Sequence, residues 1–192
     1  MSATDQNPAP GRPRDRAIDG AIVDAARALL AEGGLVAMTM EAVAKRAKIG
    51  KQTLYRRYPS RLPLLADVMG AISVERAGGA DARVVDLIAG AYAFAESGAG
   101  RDVMRALLSD AAGDPAAMAM VYERFVAARL DGLTAALMRE GPMDRDAARL
   151  RAQLAYGLMW YRLAFALPGA PADADQVAGL LFSELARPAG DH

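Results

Sequence analysis

Apolar side chains recur at intervals of three and four residues along most of the 192-residue chain, and nowhere alternate with polar ones for a useful length. That spacing lines one face of an α-helix and does not suit a half-buried strand. The chain is therefore expected to be all-α. Composition agrees: 53% of residues are apolar but only 6% aromatic. Ala and Leu dominate, and both lose little side-chain freedom in a helix. Punctuation divides the pattern into about nine helices. Gly33-Gly34 closes a first over 15–32, Thr39 caps a second over 40–47, and Pro59 closes a third over 51–58. Ser60 caps a fourth, with Pro63 tolerated in its first turn. Further helices are expected over 81–97, 101–112, 115–140, 144–167 and 173–186. They are separated by "GG" at 78–79, "SGAG" at 97–100, "GDP" at 113–115, "EGP" at 140–142 and "LPGAP" at 167–171.

The residue inventory excludes several chemistries. There is no cysteine, so disulfides, thiolate metal sites and cysteine nucleophiles are all absent. The single histidine is His192, which leaves Ser73, Ser97, Ser109 and Ser183 without an imidazole base in the body. Asp110/Asp114 and Asp144/Asp146 read as caps and first-turn charges. No phosphate loop or metal-ligand spacing occurs, so no enzyme, metal or cofactor is expected. The start "MSATDQNPAPGRPR" lacks an apolar signal core, and stretches such as "LIAGAYAFA" (87–95) are too short to span a bilayer. The expected location is the cytoplasm, with no membrane partner. Residues 1–13, with Pro8, Pro10 and Pro13, are expected to form a flexible arm.

A net charge of zero conceals an asymmetry. Residues 1–62 carry eleven Lys/Arg against six Asp/Glu, whereas the rest carries twelve against seventeen. No acid occurs from Ala42 to Ala66. A basic segment on an acidic body suggests that one end meets a polyanion.

The segment "IGKQTLYRRYPSR" (49–61) gives that end its chemistry. At about 100° per residue, Leu54 and Tyr58 share one side of a helix and form its buried face, with Ile49 as a staple. Gln52, Thr53 and Arg56 face the other way, flanked by Lys51 and Tyr55 on one edge and Arg57 on the other. A short helix, a tight turn and a second short helix with a polar outer face make a helix-turn-helix, whose second helix enters the DNA major groove. Gln52 can pair with adenine N6 and N7, Arg56 with guanine O6 and N7, and Thr53 can meet a thymine methyl. Lys51, Tyr55, Arg57 and Arg61 suit phosphates. Thr39 and Ser60 cap helix N-termini, which also favour phosphate. Arg12, Arg14 and Arg16 could reach along the backbone or into a minor groove.

With these residues in place, "TMEAVAKRAKIGKQTLYRRYPSRLPLL" (39–65) resembles the DNA-binding signature of TetR-family transcriptional regulators. The Thr39 cap, Val43-Ala44, Thr53-Leu54-Tyr55, Tyr58 and Arg61 carry the likeness, over about residues 15–66. Two departures stand out. Lys48 occupies a turn position where the family often has Gly, which requires a left-handed lysine. Gly50 stands where Ser or Thr often caps the recognition helix. The resemblance implies an arm (1–13), a helix-turn-helix domain (14–60) and an effector-binding and dimerisation domain (61–192). It also implies a homodimer on double-stranded, palindromic operator DNA, repression relieved by a small effector, and a lever running from Arg61 to Val68–Ser73. An architectural DNA-binding protein without an effector is the competing reading, and activation is the alternative to repression.

The body adds partial support. In 144–167, Ala147, Leu150, Leu154, Leu158, Tyr161 and Phe165 form one stripe, and Ala155, Met159, Leu163 and Ala166 a second. A helix apolar on two sides needs two partners. With 173–186, which brings Val177, Leu180, Leu181, Phe182 and Leu185, it could build a four-helix interface between two copies. Met104, Met118, Tyr122, Phe125, Met159 and Trp160 are candidates to line a ligand pocket, though each also fits an ordinary core. Arg162 could hold an anion or pair with a carboxylate at the interface. The low charge of this helix suggests an apolar or aromatic effector.

Overall fold

The structure is a computed structural model that describes residues 13–76, 81–165 and 173–183. The expected arm up to Arg12, the "GG" at 78–79, Ala166, the "LPGAP" breaker, the 184–186 end with Leu185, and His192 lie outside those residues. Every described regular element is helical. The chain divides into two compact units between Leu64 and Leu65.

The first unit is built on α1 (Pro13–Ala37), α2 (Met40–Arg46) and α3 (Lys51–Arg57). Ile22, Ala25, Ala26 and Leu30 of α1 are buried, as the periodicity requires. Gly33 and Gly34 break this run, and Gly34 takes φ 66°, ψ −161°, a region essentially reserved for glycine. The Thr39 hydroxyl caps α2 by accepting the Ala42 N–H at 3.1 Å. Spacing along this helix predicts that Met40, Val43 and Ala47 are buried, and the structure differs in part. Met38, Val43 and Ala44 are buried, whereas Met40 and Ala47 are only half-covered. The cap turns the chain so that Met38, just before it, points inward in place of Met40.

The fourth helix, α4 (Arg61–Arg76), crosses the boundary between the units. The second unit continues with α5 (Val84–Glu96), α6 (Gly98–Ala111), α7 (Pro115–Val121), α8 (Ala127–Glu140), α9 (Arg145–Phe165) and α10 (Ala174–Phe182). A π-helical turn over Tyr122–Val126 joins α7 to α8, so the rod expected at 115–140 is one continuous run. Counted this way, the described residues hold nine rods. The rod starts as its sequence dictates: Asp114 caps Pro115 by accepting the N–H groups of Ala116 and Ala117. "SGAG" breaks the chain at one residue, Ser97, and its glycines belong to the start of α6. Ser97 ends α5 and caps α6, accepting the Gly100 N–H at 3.0 Å. A Cβ on Gly100 would sit 1.8 Å from the Phe94 carbonyl oxygen, so this corner needs glycine.

The core of the second unit lies where α8 packs along α9 and α5 packs on α6, α8, α9 and α10. Ile88, Met104, Leu133 and Leu137 are fully enclosed there. At the π-turn, α4 comes unusually close. A Cβ on Gly70 would lie 2.3 Å from the Arg124 carbonyl oxygen. Arg124 also donates to both Asp67 oxygens, at 3.1 and 3.2 Å, and Arg129 donates to Ser73 at 3.3 Å. The π-turn and the first turn of α8 together hold α4 from Asp67 to Ser73. No described helix is long and apolar enough to cross a membrane.

Gly70→Ala must push α4 off a backbone oxygen and should lower unfolding free energy by about 1–3 kcal/mol. Gly90→Ala, whose Cβ meets nothing within 4 Å, should instead raise it by about 0.5–1 kcal/mol. Denaturant titration of both variants checks the pair.

Candidate nucleic-acid interface

The rotation of α3 is set by burial. Leu54 is fully enclosed and Tyr58, at the C-cap, is 5% exposed. With those two inward, Lys51, Gln52, Tyr55 and Arg56 stand exposed and Thr53 is half-covered. Ile49 is half-buried at the start of the helix. The turn before α3 is tight because Lys48 adopts φ 56°, the left-handed conformation its position demands. Gly50 supplies the extended N-cap backbone, and no side chain caps α3, so the first N–H groups of the helix are not taken by a hydroxyl.

Ion pairs separate the basic residues into classes. Lys51 meets Glu41 at 3.2 Å on the open surface. The Glu41 carboxyl is held below its ordinary value by its own backbone N–H and then by Lys51. Arg46 makes a two-pronged pair with Glu32, at 2.6 Å for one prong, which ties α2 to the end of α1. That hydrogen bond holds the Glu32 carboxyl low. Arg57 departs from expectation. Its side chain is only 15% exposed and is paired with Asp19 of α1. It braces α3 against α1 and does not stand on the outer edge of α3. The sequence carries no local sign of this pair, whose members are 38 residues apart. Arg61 is half-covered at the first position of α4, and Ser60 is exposed just before it.

In the second unit, the six residues suggested for a pocket do not share one wall. Met104 and Phe125 are enclosed core residues. Phe125 lies under the Arg129 guanidinium, 5.1 Å from its ring centroid. Tyr122 is 41% exposed, with its hydroxyl accepting from Arg149 at 2.9 Å, and Met118 is also exposed. The buried side of this stretch runs through Val121 and Phe125, and Met118 and Tyr122 fall beside it. Trp160 is half-buried. Only Met159 lines the described cleft of about 90 Å³. Tyr92, Ala95, Met159 and Leu163 form its apolar wall, and Glu96, Arg101 and Arg162 its charged part.

Residues 22–68 match the profile described as Bacterial regulatory proteins, tetR family. Residues 22–68 thus carry the DNA-binding signature of that family. YdeS of Bacillus subtilis, an HTH-type transcriptional regulator, is 36% identical over 66 residues, or 34% of this chain and 33% of YdeS. KstR of Mycolicibacterium smegmatis, an HTH-type transcriptional repressor, is 45% identical over 49 residues, or 26% of this chain and 24% of KstR. The chain thus matches about a third or less of the length of these curated relatives. The fold likeness extends further. A TetR transcriptional regulator from Rhodococcus sp. RHA1 superposes with a TM-score of 0.60 at 24% identity, covering 91% of this chain and all of that one. A TetR-family protein from Mesorhizobium loti MAFF303099 gives 0.56 at 18% identity, covering 89% and 96%. The architecture beyond the TetR-family helix-turn-helix is therefore shared with whole proteins that carry that domain.

Lys48→Gly removes a side chain from a left-handed position and should raise the stability of the TetR-family domain by about 1 kcal/mol. The midpoint of thermal unfolding should rise accordingly.

Proposed function

We propose that this protein is a homodimeric transcriptional regulator, and by default a repressor, that reads operator DNA with α3 and is controlled by a small molecule bound in its second unit. The observation that carries the reading is the outer face of α3. Gln52, Tyr55 and Arg56 are exposed on a helix whose opposite side is closed by Leu54 and Tyr58. Gln52 and Arg56 have the donor and acceptor geometry for adenine and guanine edges, with Thr53 toward a thymine methyl. Lys51, Tyr55, Arg61 and Ser60 would hold phosphates, and Thr39 places a capped helix N-terminus beside them. Arg57 is assigned to bracing and not to the phosphate set. The KstR proteins are repressors, which favours repression over activation here.

The case for a second copy rests on one face of α9 and α10. Leu150, Leu154, Leu158, Tyr161 and Phe165 follow each other along α9 at exposures of 40–66%. Leu180 and Phe182 of α10 are exposed at 68% and 38%. The opposite stripe of α9, from Ala148 through Ala155 and Met159 to Leu163, is buried in the subunit. A continuous row of large apolar side chains is costly to leave in water and marks an interaction surface. An identical row on a second copy is its natural complement, and two copies present two reading helices to half-sites about 34 Å apart.

Arg56→Ala should cost about 1–3 kcal/mol of discrimination at one base position, whereas Arg61→Ala should weaken all sequences alike and reduce the salt slope by about one. Titrating matched and mismatched duplexes at several salt concentrations separates the two effects. An unchanged preference in Arg56→Ala removes Arg56 from base reading. Leu154→Glu should give monomers by light scattering and lower affinity for a two-half-site duplex about a hundredfold, because the second contact is no longer intramolecular. A dimer that persists in this variant overturns the assigned interface.

A further inference from the structure

We propose that Glu41 limits the DNA affinity of the reading helix by holding Lys51, so that a carboxylate of the protein occupies the ammonium group that a DNA phosphate must take over. This rests on the regulator reading above, in which Lys51 meets a phosphate.

Glu41 is the last acid before the run from Ala42 to Ala66, which has none. It is the second residue of α2, and Lys51 is the first of α3. The turn between the helices brings the two together, and Lys51 Nζ donates to Glu41 Oε1 at 3.2 Å. A second contact keeps the carboxylate in place. It accepts its own backbone N–H in the first turn of α2, and the two contacts hold its pKa below the ordinary value. Glu41 is therefore charged at the neutral pH where duplex binding is measured.

The fold does not depend on this pair. Arg57 meets Asp19 at only 15% exposure, and Arg46 grips Glu32 with two prongs. The Lys51 and Glu41 side chains are instead 65% and 58% exposed. A single contact between exposed charges adds little stability, because water screens it and two long side chains must be ordered. The turn is closed without it. The N–H groups of Ala47, Lys48 and Ile49 donate to the carbonyls of Val43, Lys45 and Ala44 at 2.8, 3.2 and 3.1 Å. Val43, Ala44 and Leu54 fix the two helices from inside. What the pair alters is the charge offered to DNA. Lys51 adjoins exposed Gln52 and lies one turn from exposed Tyr55, at the edge of the reading face. With Glu41 beside it, its charge is cancelled locally. An arriving phosphate must displace the carboxylate and then lie close to it. Phosphate neutralisation drives binding to any sequence, so a cation already neutralised by the protein withholds one such contact. Phosphates carry no base identity, and the loss falls on all sequences alike.

The test is a double-mutant cycle on the full-length protein with Glu41→Gln, Lys51→Gln and both together. Two short duplexes serve as probes, one selected by the parent from a random-sequence library and one of unrelated sequence. Each is titrated at several salt concentrations, and circular dichroism verifies that every variant is folded. Glu41→Gln should raise affinity for both duplexes about three- to fivefold at low salt and steepen the salt slope by up to about one. Lys51→Gln should weaken both. In the Lys51→Gln background, Glu41→Gln should change affinity less than about twofold, because the carboxylate acts through Lys51. A merely structural role for the pair would lower affinity in Glu41→Gln and would not steepen the salt slope. Lower or unchanged affinity in Glu41→Gln overturns the proposal. So does a changed preference at one base position, which would make Glu41 a base contact. A gain equally large without Lys51 overturns it too, since Glu41 would then act only as a general negative charge. A parent that binds neither duplex overturns the regulator reading itself, whereas each of the other adverse results removes only the role given to Glu41.

Discussion

Leu54 and Tyr58 lie one turn apart on α3, and both are buried. A seven-residue helix has little stability of its own. It exists because these two side chains hold it against the rest of its unit, and their burial leaves one rotation about the helix axis. That rotation determines which residues stand outside: Gln52, Tyr55 and Arg56 are exposed because Leu54 and Tyr58 are not. The turn that delivers α3 at this angle carries Lys48 in a left-handed conformation, so some backbone strain is spent on holding the presentation. The Arg57–Asp19 pair adds a second point of attachment and converts a cation from a surface charge into a brace.

The second unit solves a different problem. Helix α9 has more apolar surface than one core can cover. Its Ala148–Ala152–Ala155–Met159–Leu163 side is small near its start, which lets α8 pack along it closely. The remaining stripe of Leu, Tyr and Phe is left outside with α10. Small residues inward and large residues outward is the reverse of what a monomer would favour, and it supports a face shaped for a copy of itself. Charge follows a similar division, with Arg101, Arg162 and Glu96 gathered at one small opening.

The π-turn at Tyr122–Val126 links these features to α4. One extra residue in the turn tips the Arg124 carbonyl toward Gly70 and brings the Arg124 side chain to Asp67. The contact tolerates only glycine at position 70. It also carries Phe125 inward under Arg129, whose guanidinium lies 5.3 Å from the Tyr156 ring centroid on α9. A chain of packed groups therefore runs from α4 through the π-turn to α9.

Much of this was legible before any coordinates. The three-and-four spacing, the Gly33-Gly34 break, the Thr39 and Asp114 caps and the inward pair Leu54–Tyr58 were all local, and local rules place them. The left-handed Lys48 followed from the resemblance, since the family often has Gly at that turn position. Other features were decided by tertiary structure. Arg57 pairs across 38 residues, beyond the reach of any local pattern. Two apolar stripes on α9 were readable, but which one faces the core depended on where α8 and α5 pack. The π-turn shifted the inner face of the rod after Phe125, where the next buried residue is Leu130, and no local pattern showed it. The cleft joined Glu96 and Arg101 to Arg162, some sixty residues further on. Hydrogen bonding and periodicity act within a few residues, so sequence alone determined the helices and their polarity. Which faces meet depends on packing between distant segments, and that only the folded chain decides.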